Sequence, residues 1–285
     1  MNEPTIRNVL TVDVEDYFHV ENLAPYIRPE EWDGLREVCP DAVRRLLALL
    51  AEHQVRATFF VLGWIARRHP DLVRVIDAAG HEVGCHGTMH QPVDRLTPAE
   101  FRQDLHEAAQ RLADLLGKPV QGYRAPNFSI GPANPWALDI LLDEGFTYDS
   151  SLFPGRKVPV GYLGADRAPV LIRREGHGDL VELPLARLDY PGGSLPFAGG
   201  GYFRLYPYAL IRAGLRRINR RHRVPAVIYF HPWEIVPDQP RVAAGARARF
   251  KHYTGLATFE SKLRRLLGDF SFGPAGDLAA TIQAK

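Results

Sequence analysis

The chain has 285 residues, 46% of them hydrophobic, and 35 Lys and Arg against 33 Asp and Glu give a formal net charge of +2. That balance excludes a dedicated nucleic-acid or membrane-surface protein, and no apolar run approaches the ~20 residues of a membrane span. Two cysteines, Cys39 and Cys85, exclude a disulfide-rich scaffold and fit a reducing compartment; with no signal-peptide pattern in residues 1–7, the expected location is cytoplasmic.

Residues 9–16 are a β-branched run that ends in acids, read as a buried first strand with functional residues at its C-terminal end. Asp13, Glu15 and Asp16 repel one another unless a cation or other positive partner is present; a solvated strand exit is the alternative. Asp41 reads as the cap of a helix in which Val43, Leu46, Leu47 and Leu50 share one face. A strand at 55–62, a helix at about 70–79 closed by Gly80, and a strand at 81–85 follow. The last of these delivers His86 and His90. On a helical turn positions i and i+4 lie together, and two imidazoles so placed make half of a metal site that a carboxylate completes. Exposed histidines at a helix start are the bland alternative. Cys85 is a soft ligand or, more commonly, a small buried thiol.

Thr97, Pro98 and Glu100 spell a capping box with Pro at N1, opening a long amphipathic helix that stops at Gly117. A strand near 120–123 runs into Arg124-Ala125-Pro126. A helix starts at Asn134-Pro135, Gly145 closes it, and a strand at 146–149 follows. From 150 to 205 the periodicity weakens, with a short strand at 181–184. Residues 199–204 are glycine-rich without a phosphate-loop ending; they read as backbone close to a ligand or as a tight turn. Residues 207–221 form a helix whose Arg216, Arg217, Arg220 and Arg221 complement its dipole. The last clear strand, 226–230, delivers His231, and the charged tail from 238 holds one amphipathic helix at about 259–267.

Strands and helices alternate at the spacing of βα units, which implies a parallel sheet. Asp13, His86, His90, Arg124 and His231 all follow strands, where the catalytic groups of a β/α barrel sit.

The ordered set of Asp13 with Glu15 and Asp16, His86 and His90, Tyr123-Arg124-Ala125-Pro126, and Phe230-His231 resembles the polysaccharide deacetylases, the carbohydrate esterase family 4 or NodB-homology group. Residues 238–242 and 249–253 resemble the C-terminal extension of deacetylases from exopolysaccharide and exosortase (PEP-CTERM) loci. The resemblance implies an α/β fold, a distorted (β/α)7-type barrel over 1–235 with an extension over 236–285. It implies a divalent metal, commonly Zn2+, with Co2+, Ni2+ or Fe2+ also suited to the donors. It further implies an N-acetylated carbohydrate substrate whose acetyl group is removed by metal-activated water, with neither nucleic acid nor membrane as partner and homo-oligomerisation left open. Carried over by motif, Asp13 is the general base, Arg124 orients it, His231 is the general acid, and His86 and His90 are metal ligands. The family's usual third ligand position holds Val14 here, so that ligand is Glu15 or Asp16. Tyr123, Pro126, Tyr202 and Trp233 are the expected substrate contacts, with ordinary core the alternative for each aromatic ring. An allantoinase-like hydrolase of cyclic amides or ureides, and a non-catalytic carbohydrate-binding component, are the competing readings.

Overall fold

The computed structural model describes residues 6–152, 168–190 and 193–284. Residues 1–5, part of the N-terminal stretch read for a leader, lie outside them. Strands β1 (Asn8–Val14), β2 (Thr58–Val61), β3 (Glu82–Cys85), β4 (Gly122–Tyr123) and β5 (Tyr148–Asp149) pair in parallel in chain order. β6 (Val170–Arg174) and β7 (Gly178–Glu182) form an antiparallel hairpin, and β7 joins β5 in parallel. β10 (Val227–Phe230) pairs with the other edge of β1, while the short β11 (Phe272–Gly273) pairs with Asn8 and Val9 on the β2 edge. A separate hairpin joins β8 (Arg187–Tyr190) and β9 (Gly193–Pro196). The Ala186 N–H donates to the Val227 carbonyl at 2.9 Å, and Gly199 bridges Tyr229. These contacts bring the segment after β7 to the free edge of β10, so the sheet curls into the expected barrel-like form.

Helices cover the outside: α1 (Cys39–Glu52), α2 (Gly63–Arg68), α3 (Pro70–Ala78), α4 (Pro98–Leu116), α5 (Trp136–Asp143), α6 (Gly200–Leu205), α7 (Tyr208–Arg217), α8 (Ala246–Tyr253), α9 (Leu256–Asp269) and α10 (Ala275–Gln283). α4 carries the capping box read from its sequence, with Glu100 N–H donating to Thr97 Oγ1 and Thr97 N–H to Glu100 Oε2. α1 differs from expectation. It begins two residues before Asp41, whose exposed carboxylate pairs with Arg44, and its end is capped from elsewhere in the chain. α2 has no independent sequence signal, being only six residues long, too short to display a full amphipathic period.

Side-chain alternation divides the core into two layers. Leu10, Val12 and Val14 of β1 join the large cluster between sheet and helices, whereas Val9 joins Phe60, Tyr148, Val181, Leu183 and Val227 inside the barrel. Two glycines make room for that inner plug: a Cβ on Gly84 would stand 2.6 Å from the Phe60 ring, and one on Gly122 would stand 2.0 Å from Tyr148. Above the plug, at the C-terminal strand ends, the interior turns polar, and there the candidate site lies.

One buried acid pair is set apart from that site. Asp149 and Glu182 are register partners on β5 and β7, both without solvent exposure. Ser151 Oγ donates to Asp149 at 2.5 Å and the Leu152 N–H to Glu182 at 3.1 Å. Asp149 Oδ2 and Glu182 Oε2 have no other partner among the described residues. Burial pushes Asp149 up to about 6, and burial with the nearby Asp149 carboxylate pushes Glu182 well above its ordinary value. Groups whose folded pKa is raised stabilise the fold fully below their unfolded pKa, and that contribution is lost as pH rises through the folded value. Thermal unfolding followed from pH 5 to pH 8 should therefore show the midpoint falling. Asp149→Asn should remove most of that fall and raise the midpoint at pH 8 by roughly 2–4 °C; a variant less stable than wild type at pH 8 contradicts the assignment.

Candidate metal centre and active site

His86 continues from β3, its N–H donating to the Val61 carbonyl at 3.1 Å. Its Nδ1 lies 2.7 Å from the Arg124 carbonyl. A carbonyl only accepts, so Nδ1 carries the hydrogen and Nε2 presents a lone pair. Residues 86–90 form an irregular turn rather than the expected helix: Gly87 (φ 75°) and His90 (φ 53°) are left-handed. The turn still brings the two rings together, centroids 5.3 Å apart. β1 ends in a tight reversal, Glu15 N–H to the Asp13 carbonyl at 3.0 Å, which carries the Glu15 side chain to them. Ligand atoms of Glu15, His86 and His90 all lie within 4.8 Å of one another, and the three residues are buried.

The chemistry of these donors fits a divalent cation. Burial acts to raise the Glu15 pKa, but His90, His231 and His86 outweigh it and hold the carboxyl well below the usual range. Burial lowers His86 to about 4, so its ring is neutral. Glu15 Oε2 is buried without a hydrogen bond although His90 Nε2 is 2.8 Å away. A buried carboxylate oxygen beside two imidazole nitrogens is a donor set that Zn2+ and similar ions accept.

Asp13 stands next to this cluster. Its Oδ1 accepts from Arg124 Nη1 at 2.8 Å. Arg124 is fully buried and has three more of its donors occupied: Nη1 reaches Thr11 Oγ1 (2.6 Å), Nε the Ser150 carbonyl (3.0 Å) and Nη2 Ser150 Oγ (2.8 Å). The Phe60 ring packs 4.4 Å below its guanidinium. The carboxylate is thereby fixed in orientation as well as charge.

His231 leaves β10 and faces the same centre, Nε2 3.1 Å from Glu15 Oε1. Its own N–H donates to Glu234 Oε2 at 3.0 Å, and Nδ1 lies 3.3 Å from the same oxygen. Burial would lower the His231 pKa, but Glu15, Glu234 and Asp13 together raise it to about 9. Glu234 accepts from Arg204 Nε at 2.6 Å, and Arg204 Nη1 donates to the His252 and Thr254 carbonyls, each at 2.7 Å. The His231 ring stacks on Trp233 (5.2 Å), which stacks on His252 (4.3 Å).

Several expectations need correction. Asp16 is not part of the ligand cluster. Its carboxylate turns away and accepts from the Val38 and Cys39 N–H groups at 2.7 and 2.8 Å and from its neighbour Tyr17 at 2.8 Å. It is the missing cap of α1. Tyr123 points to the outer face of the sheet, buried against Phe101 and Phe146, so no sugar reaches it. Trp233 is enclosed between two imidazoles and offers no free face. Pro126 is buried and packs under the 86–90 turn, 3.7 Å from where a Gly87 Cβ would lie. Tyr202 alone of the four is half-exposed. Cys85 is a buried thiol outside the cluster, raised to about 12 by burial. The glycine stretch opens α6. A Cβ on Gly200 would collide with Glu234 Oε2 at 1.7 Å, so the backbone approaches a side chain of the protein itself.

Reading motifs missed Arg204, Glu234 and His252. Arg204 closes the glycine stretch and Glu234 stands three residues after His231, but nothing in either spacing signals that the two meet.

Residues 32–147 match the family described as polysaccharide deacetylase, and residues 150–280 match DUF3473, a domain of unknown function. A peptidoglycan deacetylase of Helicobacter pylori is 33% identical over 110 residues, 39% of this chain and 36% of that protein. A peptidoglycan-N-acetylglucosamine deacetylase of Bacillus cereus is 30% identical over 128 residues, 43% and 47% of the two chains. This chain thus spans less than half the length of these curated relatives. A solved candidate polysaccharide deacetylase of Mycobacterium smegmatis shares the fold across 100% of this chain and 93% of its own, at TM-score 0.67 and 24% identity. The chain thus contains a polysaccharide deacetylase segment followed by a DUF3473 segment. No helix among the described residues is long and apolar enough to cross a membrane.

Because Asp16 serves α1, Asp16→Ala should lower stability by roughly 2 kcal/mol, the cost of leaving buried N–H groups unpaired. Denaturant unfolding checks this; an unchanged midpoint would remove Asp16 from the role of cap.

Proposed function

We propose that this protein is a metal-dependent deacetylase that hydrolyses the N-acetyl group of an amino sugar in a polysaccharide or its precursor, an exopolysaccharide being the setting its C-terminal segment suggests. The observation that carries the reading is the convergence of Glu15, His86 and His90, with ligand atoms within 4.8 Å of one another, beside a fixed Asp13 and a charged His231. The curated relatives' names support the substrate class.

A divalent ion held by Glu15, His86 and His90 would supply Lewis acidity and make water a stronger acid; Zn2+ is the first choice, with Co2+, Ni2+ and Fe2+ compatible. The chain's own groups do the rest. Asp13, with Oδ1 committed to Arg124, takes the proton of the attacking water on Oδ2. Arg124 keeps that carboxylate oriented and, through its carbonyl, keeps the His86 hydrogen on Nδ1. His231, kept charged by Glu15 and Glu234, gives its Nε2 proton to the departing amine. Each acid–base role of this kind contributes typically ~10²–10⁴ in rate. Tyr202, half-exposed, is the ring available to the sugar.

Incubation with an N-acetylated oligosaccharide, read as released acetate, tests the reading. Activity should vanish with chelator and return with Zn2+. Asp13→Asn should cut kcat by about 10²–10⁴ while leaving Zn2+ binding near wild type, whereas Glu15→Gln should lose both. Folded protein that binds the oligosaccharide and releases no acetate with any of the four ions would favour a non-catalytic carbohydrate-binding role instead.

A further inference from the structure

The two histidines of the candidate centre sit on a five-residue turn with no regular structure, and His90 holds a backbone conformation uncommon outside glycine. Contacts from outside the turn must therefore hold it. Its backbone groups can be traced one by one. The Gly87 and Thr88 carbonyls accept from the N–H groups of Gly63 (2.8 Å) and Trp64 (2.9 Å), the first residues of α2. On the opposite side the Thr88 N–H donates to both carboxylate oxygens of Asp104 on α4, each at 3.1 Å, and the Met89 N–H adds to it. Thr88 Oγ1 donates to the Asp104 carbonyl at 2.7 Å. Among the described residues the Asp104 side chain accepts from this turn alone. Burial acts to raise its pKa, and the N–H groups of Thr88 and Met89 act against that.

Glycine sits where the two sides close. A Cβ on Gly87 (φ 75°) would stand 2.8 Å from Asp104 Oδ2, and one on Gly63 would stand 3.0 Å from Thr88 Cα. The turn is thus gripped by α2 at its carbonyls and by α4 at its N–H groups.

We propose that Asp104 is a positioning residue for the metal centre: by holding the Thr88–Met89 backbone it fixes the spacing of His90 from His86. This rests on the metal reading of Glu15, His86 and His90. Without the carboxylate the two N–H groups lose their acceptor. The turn then relaxes toward backbone angles that His90 adopts more readily, and metal binding must reorder it. Losses of this kind, one step removed from the ligands, typically weaken metal affinity 10–100-fold.

Calorimetric titration of the metal-free protein with Zn2+, paired with the visible spectrum of the Co2+-loaded protein, tests the proposal. Asp104→Ala should weaken Zn2+ binding about 10–100-fold, and its Co2+ bands should shift as His90 leaves its place. Asp104→Asn keeps an acceptor oxygen without the charge and should lose about 3–10-fold, charge-assisted bonds being roughly twice as strong as neutral ones. Asp104→Ala binding within about twofold of wild type, with an unchanged Co2+ spectrum, overturns the proposal. Should that variant fail to fold by circular dichroism, Asp104→Asn decides: wild-type affinity and spectrum overturn it, and a weakened site with a shifted spectrum supports it. A wild type that binds neither ion removes the metal reading and this proposal together; a wild type that binds both, with unaltered variants, removes only this proposal.

Discussion

The interior of the barrel is organised around one guanidinium with no access to water. Arg124 leaves β4 and ties two other parts of the sheet to it: β1 through Asp13 and Thr11, and the end of β5 through Ser150. Its own carbonyl takes the His86 Nδ1 hydrogen, and its N–H donates to the Cys85 carbonyl. The proposed base, the orientation of the proposed ligand His86 and the strand order therefore depend on the same residue. A buried charge is tolerated only when paired and hydrogen-bonded. Removing one partner of such a pair costs about 3–5 kcal/mol, so the Asp13–Arg124 pair holds the fold and the site together.

The way the site's other buried charges are matched supports the proposal of a cation. Asp13 is neutralised by Arg124, and Glu234 by Arg204. Glu15 faces imidazoles instead, neutral His86 together with His90 at 2.8 Å and His231 at 3.1 Å. Of these three acids at the site, two are matched by arginines, while Glu15 faces imidazole nitrogens with one oxygen unbonded. The two halves of the chain divide the work. Asp13, Glu15, His86, His90 and Arg124 lie before residue 150. His231 and the groups that hold it, Glu234, Arg204 and His252, lie within the DUF3473 segment. That segment completes the candidate site rather than decorating it.

Much of this was legible because the signals are local. The Thr97–Glu100 capping box, the left-handed Gly117 that ends α4, and the buried run of β1 each follow from a few consecutive residues, and Asp13, His86, Arg124 and His231 stand out because each stands at the C-terminal end of a strand or just past it. What stayed hidden depends on distance in sequence. Asp16 and Glu15 are adjacent acids, and only the approach of the Val38 and Cys39 N–H groups, more than twenty residues on, separates a helix cap from a ligand. Tyr123 looks like a motif aromatic, but strand alternation sends it outward while Arg124 turns in. Trp233 sits between two imidazoles because His252, from a helix late in the chain, comes back to it. Asp104 has no local mark at all: it is one polar position on an amphipathic helix, and its use appears only once the 86–90 turn is seen against it.

The central claim is that Glu15, not its neighbour Asp16, closes a three-residue metal site with His86 and His90. Crystals grown with Zn2+ and measured at the zinc absorption edge test it directly. The account predicts one strong anomalous peak about 2.0–2.2 Å from a Glu15 oxygen, His86 Nε2 and a His90 nitrogen, with Asp16 still bonded to the start of α1. A peak coordinated by Asp16, or a fully occupied zinc elsewhere with Glu15, His86 and His90 bare, would contradict it.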